Sequence, residues 1–219
     1  MALSEQVRKG ERTRAALIRA AIVRFASEGF NRVSLTDIAR DVGVSPTAVY
    51  RYFPDKEALF EAAVDADAEA LVAVARDALN RDVDGSLLEL LGSLAAGLVT
   101  AARAHPLVAR VLAGADIMTP ARILALPTLA VFRSELAELL ALGQSVGAVR
   151  RDLDAAEAAL GLETVVLNHV GYLVASATTE SHEPDARWAA VVGLLDAALR
   201  PLSGAVPPAE SRDGKARPR

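Results

Sequence analysis

Apolar residues recur at helical spacing along most of the chain, and no parallel-sheet pattern interrupts them. The spacing predicts a loose arm over residues 1–10, carrying Arg8 and Lys9, and then a helix over 11–28. Leu17, Ile18, Ala21, Ile22 and Phe25 form its buried stripe, and Gly29 ends it. Phe30 and Val33 are expected to join the same small core. Ser34 opens a second helix, with Asp37 three residues on in capping-box position. Ile38, Ala39 and Val42 stripe that helix, and Gly43 stops it. Val44 plugs the core, Ser45 caps a third helix over 46–53, and Pro46 takes its first position. Two short helices joined by a tight Gly-containing turn form a helix-turn-helix, whose second helix can enter a DNA major groove.

Beyond Asp55, a helix cap, the pattern predicts a helix to about residue 80 without a Gly- or Ser-rich linker. Further helices are expected over 86–104, 107–115 and 120–142, the last broken or kinked near Pro127. A loop is expected at 143–147. Two more helices follow, over 154–177 and 184–200, separated by a polar stretch containing Pro184. Both are apolar on more than one face, so something must cover them all round. The sequence therefore predicts an all-α chain in four parts. These are a flexible arm (1–10), a helix-turn-helix head (11–56), a helical ligand-binding and dimerisation body (57–202) and a disordered tail rich in Gly, Pro and charge (203–219).

Composition sharpens this. Aromatics are only 4% of the 219 residues while hydrophobics are 52%, so the core is built from Ala, Leu and Val, a helix-favouring mixture. No cysteine is present, which excludes disulfides and thiolate chemistry. The N-terminal stretch is polar, and every apolar run of span length is interrupted by charge or Pro. A cytoplasmic protein without a membrane segment is expected, and its positive mean hydropathy of +0.27 points to an interface. The net charge of −4 argues against nucleic acid, but its distribution does not. Residues 1–60 hold ten Lys and Arg against seven Asp and Glu, and the remainder 14 against 21. A mildly basic head on an acidic body suits a protein that sets one end on phosphate.

Ile38, Ala39, Gly43, Val44, Ser45, Tyr50, Phe53 and Lys56 sit where the TetR family of bacterial transcriptional regulators has its typical residues, and from Arg12 to Ala63 the chain resembles that family specifically. Val49 and Phe53 are four apart and should face the core, which turns Thr47, Ala48 and Arg51 toward a groove. Arg51 could pair bidentately with guanine, and Thr47 or Ala48 could meet a thymine methyl. The resemblance implies that Tyr50, Tyr52 and Lys56 reach phosphates, and Thr36 is a further contact candidate. The expected DNA interface is thus Ser34, Thr36, Ser45, Pro46, Thr47, Ala48, Tyr50, Arg51, Tyr52 and Lys56. The resemblance also implies a four-helix bundle across a dimer axis. Val170, Leu173, Val174, Trp188, Val191, Val192, Leu195 and Leu199 would form it, with small Gly171, Ala175, Gly193 and Ala197 allowing close approach.

Asn168, His169 and Tyr172 are polar anchors in an apolar helix, and with Met118, Phe132 and Leu136 they are candidates for an effector pocket. Paired core or interface groups explain the same residues equally well. The segment 143–147 matches G-x-S-x-G, but a nucleophile elbow needs a strand before the turn, and the flanks here are helical. His105, His169 and His182 lack zinc-protease spacing, and no phosphate-binding Gly motif is present. No cofactor, metal or enzymatic activity is expected. The expected function is a homodimeric, sequence-specific regulator of transcription, a repressor released from a palindromic DNA operator by a small, mainly apolar effector. Two rivals stand beside it: a helical enzyme using Ser145 or His169, and an apolar-ligand carrier or interaction module without specific DNA binding.

Overall fold

Two helices that share one aromatic knot start the fold. In the computed structural model, which describes residues 2–80, 87–176 and 186–201, α1 (Ala2–Glu28) and α4 (Lys56–Leu79) bring Phe25, Phe30 and Phe60 together. Phe60 meets Phe25 and Phe30 edge-on at 5.0 and 5.1 Å between ring centres, a favoured aromatic geometry. Between them lie α2 (Leu35–Val42) and α3 (Pro46–Val49). The body is built from α5 (Leu87–Ala104), α6 (Pro106–Leu112), α7 (Pro120–Leu124), α8 (Pro127–Ser145), α9 (Ala155–Ser176) and α10 (Ala186–Leu199). The described residues contain no strand. One continuous apolar core runs from Leu17 in the head to Val192 in the body.

Several boundaries differ from the pattern reading. The expected arm at 1–10 is helical from Ala2, because residues 2–9 carry no Pro or Gly and are mostly good helix formers. The third helix stops at Val49 instead of Phe53, and tight turns continue it, with Tyr52 and Phe53 both donating to the Val49 carbonyl. Pro127 breaks the chain rather than kinking it, so α7 and α8 are separate helices. The loop expected at 143–147 is helical to Ser145, and Ala148 and Val149 donate to the Gly143 carbonyl. Gly143-x-Ser145 therefore lies at a helix end and not on a strand-to-helix turn. His182, the polar stretch from residue 180 and the tail at 203–219 lie outside the described residues.

The unbroken α4 is bonded to the body along its length. Glu61 accepts from Arg122 of α7 at 2.6 and 2.9 Å, and Asp65 accepts from the Thr128 backbone N–H of α8 at 2.9 Å. Asp67 is buried and accepts the Val108 N–H at 3.0 Å, with His105 Nδ1 2.8 Å away, so it closes the start of α6. Arg76 forks onto Glu135 of α8 at 2.7 and 2.9 Å. Where the head meets the body, buried Asp116 accepts from Phe30 N–H and from Arg110 Nε, both at 3.1 Å.

Asp67→Ala leaves a buried N–H unpaired, and urea denaturation followed by circular dichroism should show a loss of about 1–3 kcal/mol. An unchanged midpoint would show that Asp67 does not hold α6.

Candidate nucleic-acid interface and effector cavities

The local sequence builds the helix-turn-helix through caps. Ser34 Oγ accepts from the Asp37 N–H at 3.2 Å and gives its own proton to the Asp37 carboxylate at 2.5 Å. Asp37 thus grips the capping hydroxyl instead of reaching back to the backbone. Gly43 sits in the left-handed region at φ 72°. Its N–H reaches Arg40 O, and the Val44 N–H reaches Ala39 O, a two-bond closure that needs a residue without Cβ strain. Ser45 Oγ accepts from the Ala48 N–H at 3.2 Å, and Asp55 caps α4 by accepting the Ala58 N–H at 2.7 Å.

This geometry sorts the expected DNA contacts. Val49 and Phe53 are buried, so Ser45, Pro46, Thr47 and Arg51 face solvent, with Ala48 half-buried beside them. Tyr50 is 58% exposed. Thr36 is exposed near the start of α2, close to the Ser34 cap. Tyr52 is half-buried, and the Arg51 guanidinium lies 5.7 Å from its ring centre. Lys56 has a role inside the head that the pattern did not reveal. Its ammonium donates to Phe30 O at 3.0 Å and Val33 O at 3.1 Å and sits 4.2 Å from the Phe30 ring centre, leaving one donor for a phosphate.

Nearby charges also pair internally. Arg24 bridges α1 to α2 through Asp41 at 2.6 and 2.9 Å, and Arg40 pairs with Asp37 at 3.1 Å. The Ser34 hydroxyl holds the Asp37 carboxyl below its ordinary range, and Arg24 does the same for Asp41.

The six expected pocket residues do not converge. Met118, Asn168 and Tyr172 line a hollow of about 380 Å³ between α6, α7 and α9. Asn168, His169 and Tyr172 also border a groove of about 410 Å³ toward α10, where His169 stacks on Trp188 at 3.8 Å and 4°. Asn168 donates to Thr164 O of its own helix at 2.7 Å. Phe132 and Leu136 line a third hollow of about 300 Å³ between α4, α5, α8 and α9. The α9 helix separates the sets, because residues four apart on one face of it look away from the α8 stripe. Sequence reading also missed Glu163, which lines the third hollow and pairs with Arg133 at 2.8 Å. A carboxylate in the middle of an apolar helix, beyond the Glu157 of its first turn, was the available signal.

Two expected interface residues are withdrawn. Val170 and Val192 are 0% and 1% exposed within this chain, so they face its own core. Gly171 likewise serves internal packing, since a Cβ there would lie 2.7 Å from Leu112 O of α6. Leu173, Val174, Trp188, Val191, Leu195 and Leu199 are half-buried, and Leu194, not foreseen, is 73% exposed. No cluster of metal-binding side chains occurs among the described residues.

A capped helix-turn-helix whose third helix turns polar side chains outward defines a DNA-binding class of regulator, here fused to a hollow helical body. Residues 17–63 match the profile of bacterial regulatory proteins of the tetR family. The chain is 31% identical over 93 residues to a nucleoid occlusion factor SlmA of Vibrio vulnificus, a match covering 42% of this chain and 46% of that one. It thus spans about half the length of the curated relatives it matches. Among solved structures, a TetR-family regulator from Rhodococcus sp. shares the fold with a TM-score of 0.58 at 23% identity, over 86% of this chain and 99% of that chain. FadR from Bacillus subtilis, solved with stearoyl-CoA, gives 0.59 at 18% identity, over 85% and 99%. Over residues 17–63 the head is similar to the tetR family of bacterial regulatory proteins, and the chain as a whole shares the fold of the solved regulators.

Gly43→Ala should lower stability by about 1 kcal/mol, read as a drop in thermal midpoint, because an L-residue is strained in the left-handed region. Stability from Asp37 and Asp41 is fully present above pH 3.8 and is lost as pH falls through their lowered folded-state values. Amide protection across α2, taken relative to intrinsic exchange at each pH, should therefore fall below pH 3.8, and unchanged protection there would show that these pairs contribute nothing.

Proposed function

We propose that this protein is a homodimeric repressor that binds a palindromic operator and leaves it when a small, mainly apolar effector enters the body. The observation that carries this reading is mechanical. The same helix, α4, starts beneath the groove-facing residues and walls an apolar hollow with Leu71, Val72, Ala75 and Leu79. Arg51, Thr47 and Ala48 would read bases, while Tyr50, Tyr52, Thr36, Ser34, Ser45, Pro46 and the spare donor of Lys56 would approach the backbone. An effector acts by binding one head arrangement better than the other, and it can shift DNA affinity only by that difference. FadR's capture of stearoyl-CoA in the same fold is consistent with such a body.

The dimer would form on α9 and α10, where Leu160 and Leu194 are exposed and Gly193 faces open space. Trp188, Val191, Leu195, Leu199, Leu173 and Val174 border that surface. By length and composition α9 could cross a membrane, yet only 22% of its apolar window is buried within the chain. A second copy would cover the rest. A cytoplasmic, non-enzymatic protein follows from the regulator reading.

Selection of random duplex DNA by the purified protein tests it. A palindrome should emerge, its half-sites about 34–36 Å apart along the helix. Arg51→Ala should relax one base at a cost of about 1–3 kcal/mol, and Tyr50→Ala should weaken all sequences alike. Recovery of no preferred sequence at low salt would overturn the reading and favour an apolar-ligand carrier.

A further inference from the structure

The hollow between α4, α5, α8 and α9 is walled by leucine, valine and phenylalanine, and Glu163 of α9 stands among them. Glu163 is only 4% exposed. Its Oε2 accepts from Arg133 Nη1 at 2.8 Å, and Arg133 Nη2 donates to Leu124 O at 3.1 Å. Its Oε1 is buried and has no hydrogen-bond partner among the described residues. Desolvation raises the carboxyl's pKa while Arg133 opposes the rise. A buried charged oxygen left unpaired is costly, so an unfilled acceptor in an apolar hollow marks a place for a donor.

We propose that this hollow binds a neutral, mainly apolar molecule carrying one O–H or N–H donor, which hydrogen-bonds to Glu163 Oε1. The sign of charge follows from the pair already present. Arg133 balances Glu163, so a cationic ligand would leave a net positive charge in an apolar cavity. An anionic ligand would meet an oxygen that can only accept. The apolar walls supply affinity, and the single acceptor supplies discrimination. Leu71 and Val72 place the ligand directly against α4. The assignment deepens the effector part of the regulator reading and rests on it for the consequence of binding, but not for binding itself.

The test is titration calorimetry of the full chain with 1-octanol, its methyl ether and octylammonium. These share a chain and differ in the donor and the charge. The alcohol should bind at least about tenfold more tightly than the ether or the cation, the worth of one hydrogen bond to a charged acceptor. In Glu163→Gln the amide oxygen can keep Arg133 and turn its NH2 to the hollow, so the ether should bind as well as the alcohol. Leu136→Phe, which fills the hollow without touching the ion pair, should weaken all three and keeps the site testable if Glu163→Gln fails to fold. Equal binding of alcohol and ether by the unmodified protein, or binding of none of the three, overturns the proposal. So does an alcohol preference that survives in Glu163→Gln. The two readings fail separately. Glu163-dependent alcohol binding that leaves selected DNA bound removes effector release and keeps this site. Specific DNA binding by a protein that takes up no probe removes this site and keeps the DNA reader.

Discussion

Continuity of α4 governs the behaviour of the whole chain. A helix of 24 residues has no soft point unless a Pro or Gly interrupts it, and Lys56–Leu79 contains neither. Its polar residues then decide what it is fastened to. Glu61, Asp65, Asp67 and Arg76 each find a partner in the body, on α7, α8, α6 and α8 in turn. The body cannot repack around α4 without breaking one of these bonds. Its other end is Asp55 and Lys56, which close the helix-turn-helix. Strain imposed on one part is therefore carried to the other by a rigid rod and not by a hinge.

The junction at residues 29–33 is the second anchor. Gly29 adopts φ 79°, and a Cβ there would lie 2.8 Å from an Arg110 nitrogen. Asp116 of the body takes the Phe30 N–H while Lys56 of the head takes the Phe30 carbonyl. One short turn is thus gripped from both sides. This also explains how a head with several arginines remains only mildly basic toward solvent. Arg24 and Arg40 are occupied by Asp41 and Asp37, while the outward residues of the third helix are mostly neutral. Specific contacts, more than bulk charge, would have to carry recognition.

The apolar excess of the body has two destinations. Part of it is turned inward around hollows large enough for a small molecule. Part is left outward on α9 and α10, where Leu160 and Leu194 are exposed. The Glu163–Arg133 pair marks the difference. A carboxylate held by an arginine fits a packed helical body, even though α9 is long and apolar enough to cross a membrane by length and composition.

Caps, stops and short-range stripes were legible in the residues themselves. Ser34, Gly43, Ser45, Pro46 and Asp55 act within four positions of where they stand, so the helix-turn-helix and the all-α class followed from the sequence. The extension of α1 over residues 2–10 was missed because a polar, exposed stretch can be helical through propensity alone. The pocket and interface residues were only partly legible, because periodicity tells which residues are apolar but not which neighbour they meet. Val170 and Val192 read as interface and are core, while Phe132 and Asn168 read as one pocket and lie on opposite sides of α9. The grip of Lys56 on two carbonyls, Asp116 on Phe30 and Arg133 on Glu163 join residues 23 to 86 positions apart. Such contacts depend on how helices cross, which is set by three-dimensional packing rather than by local spacing, and only the tertiary structure decides them.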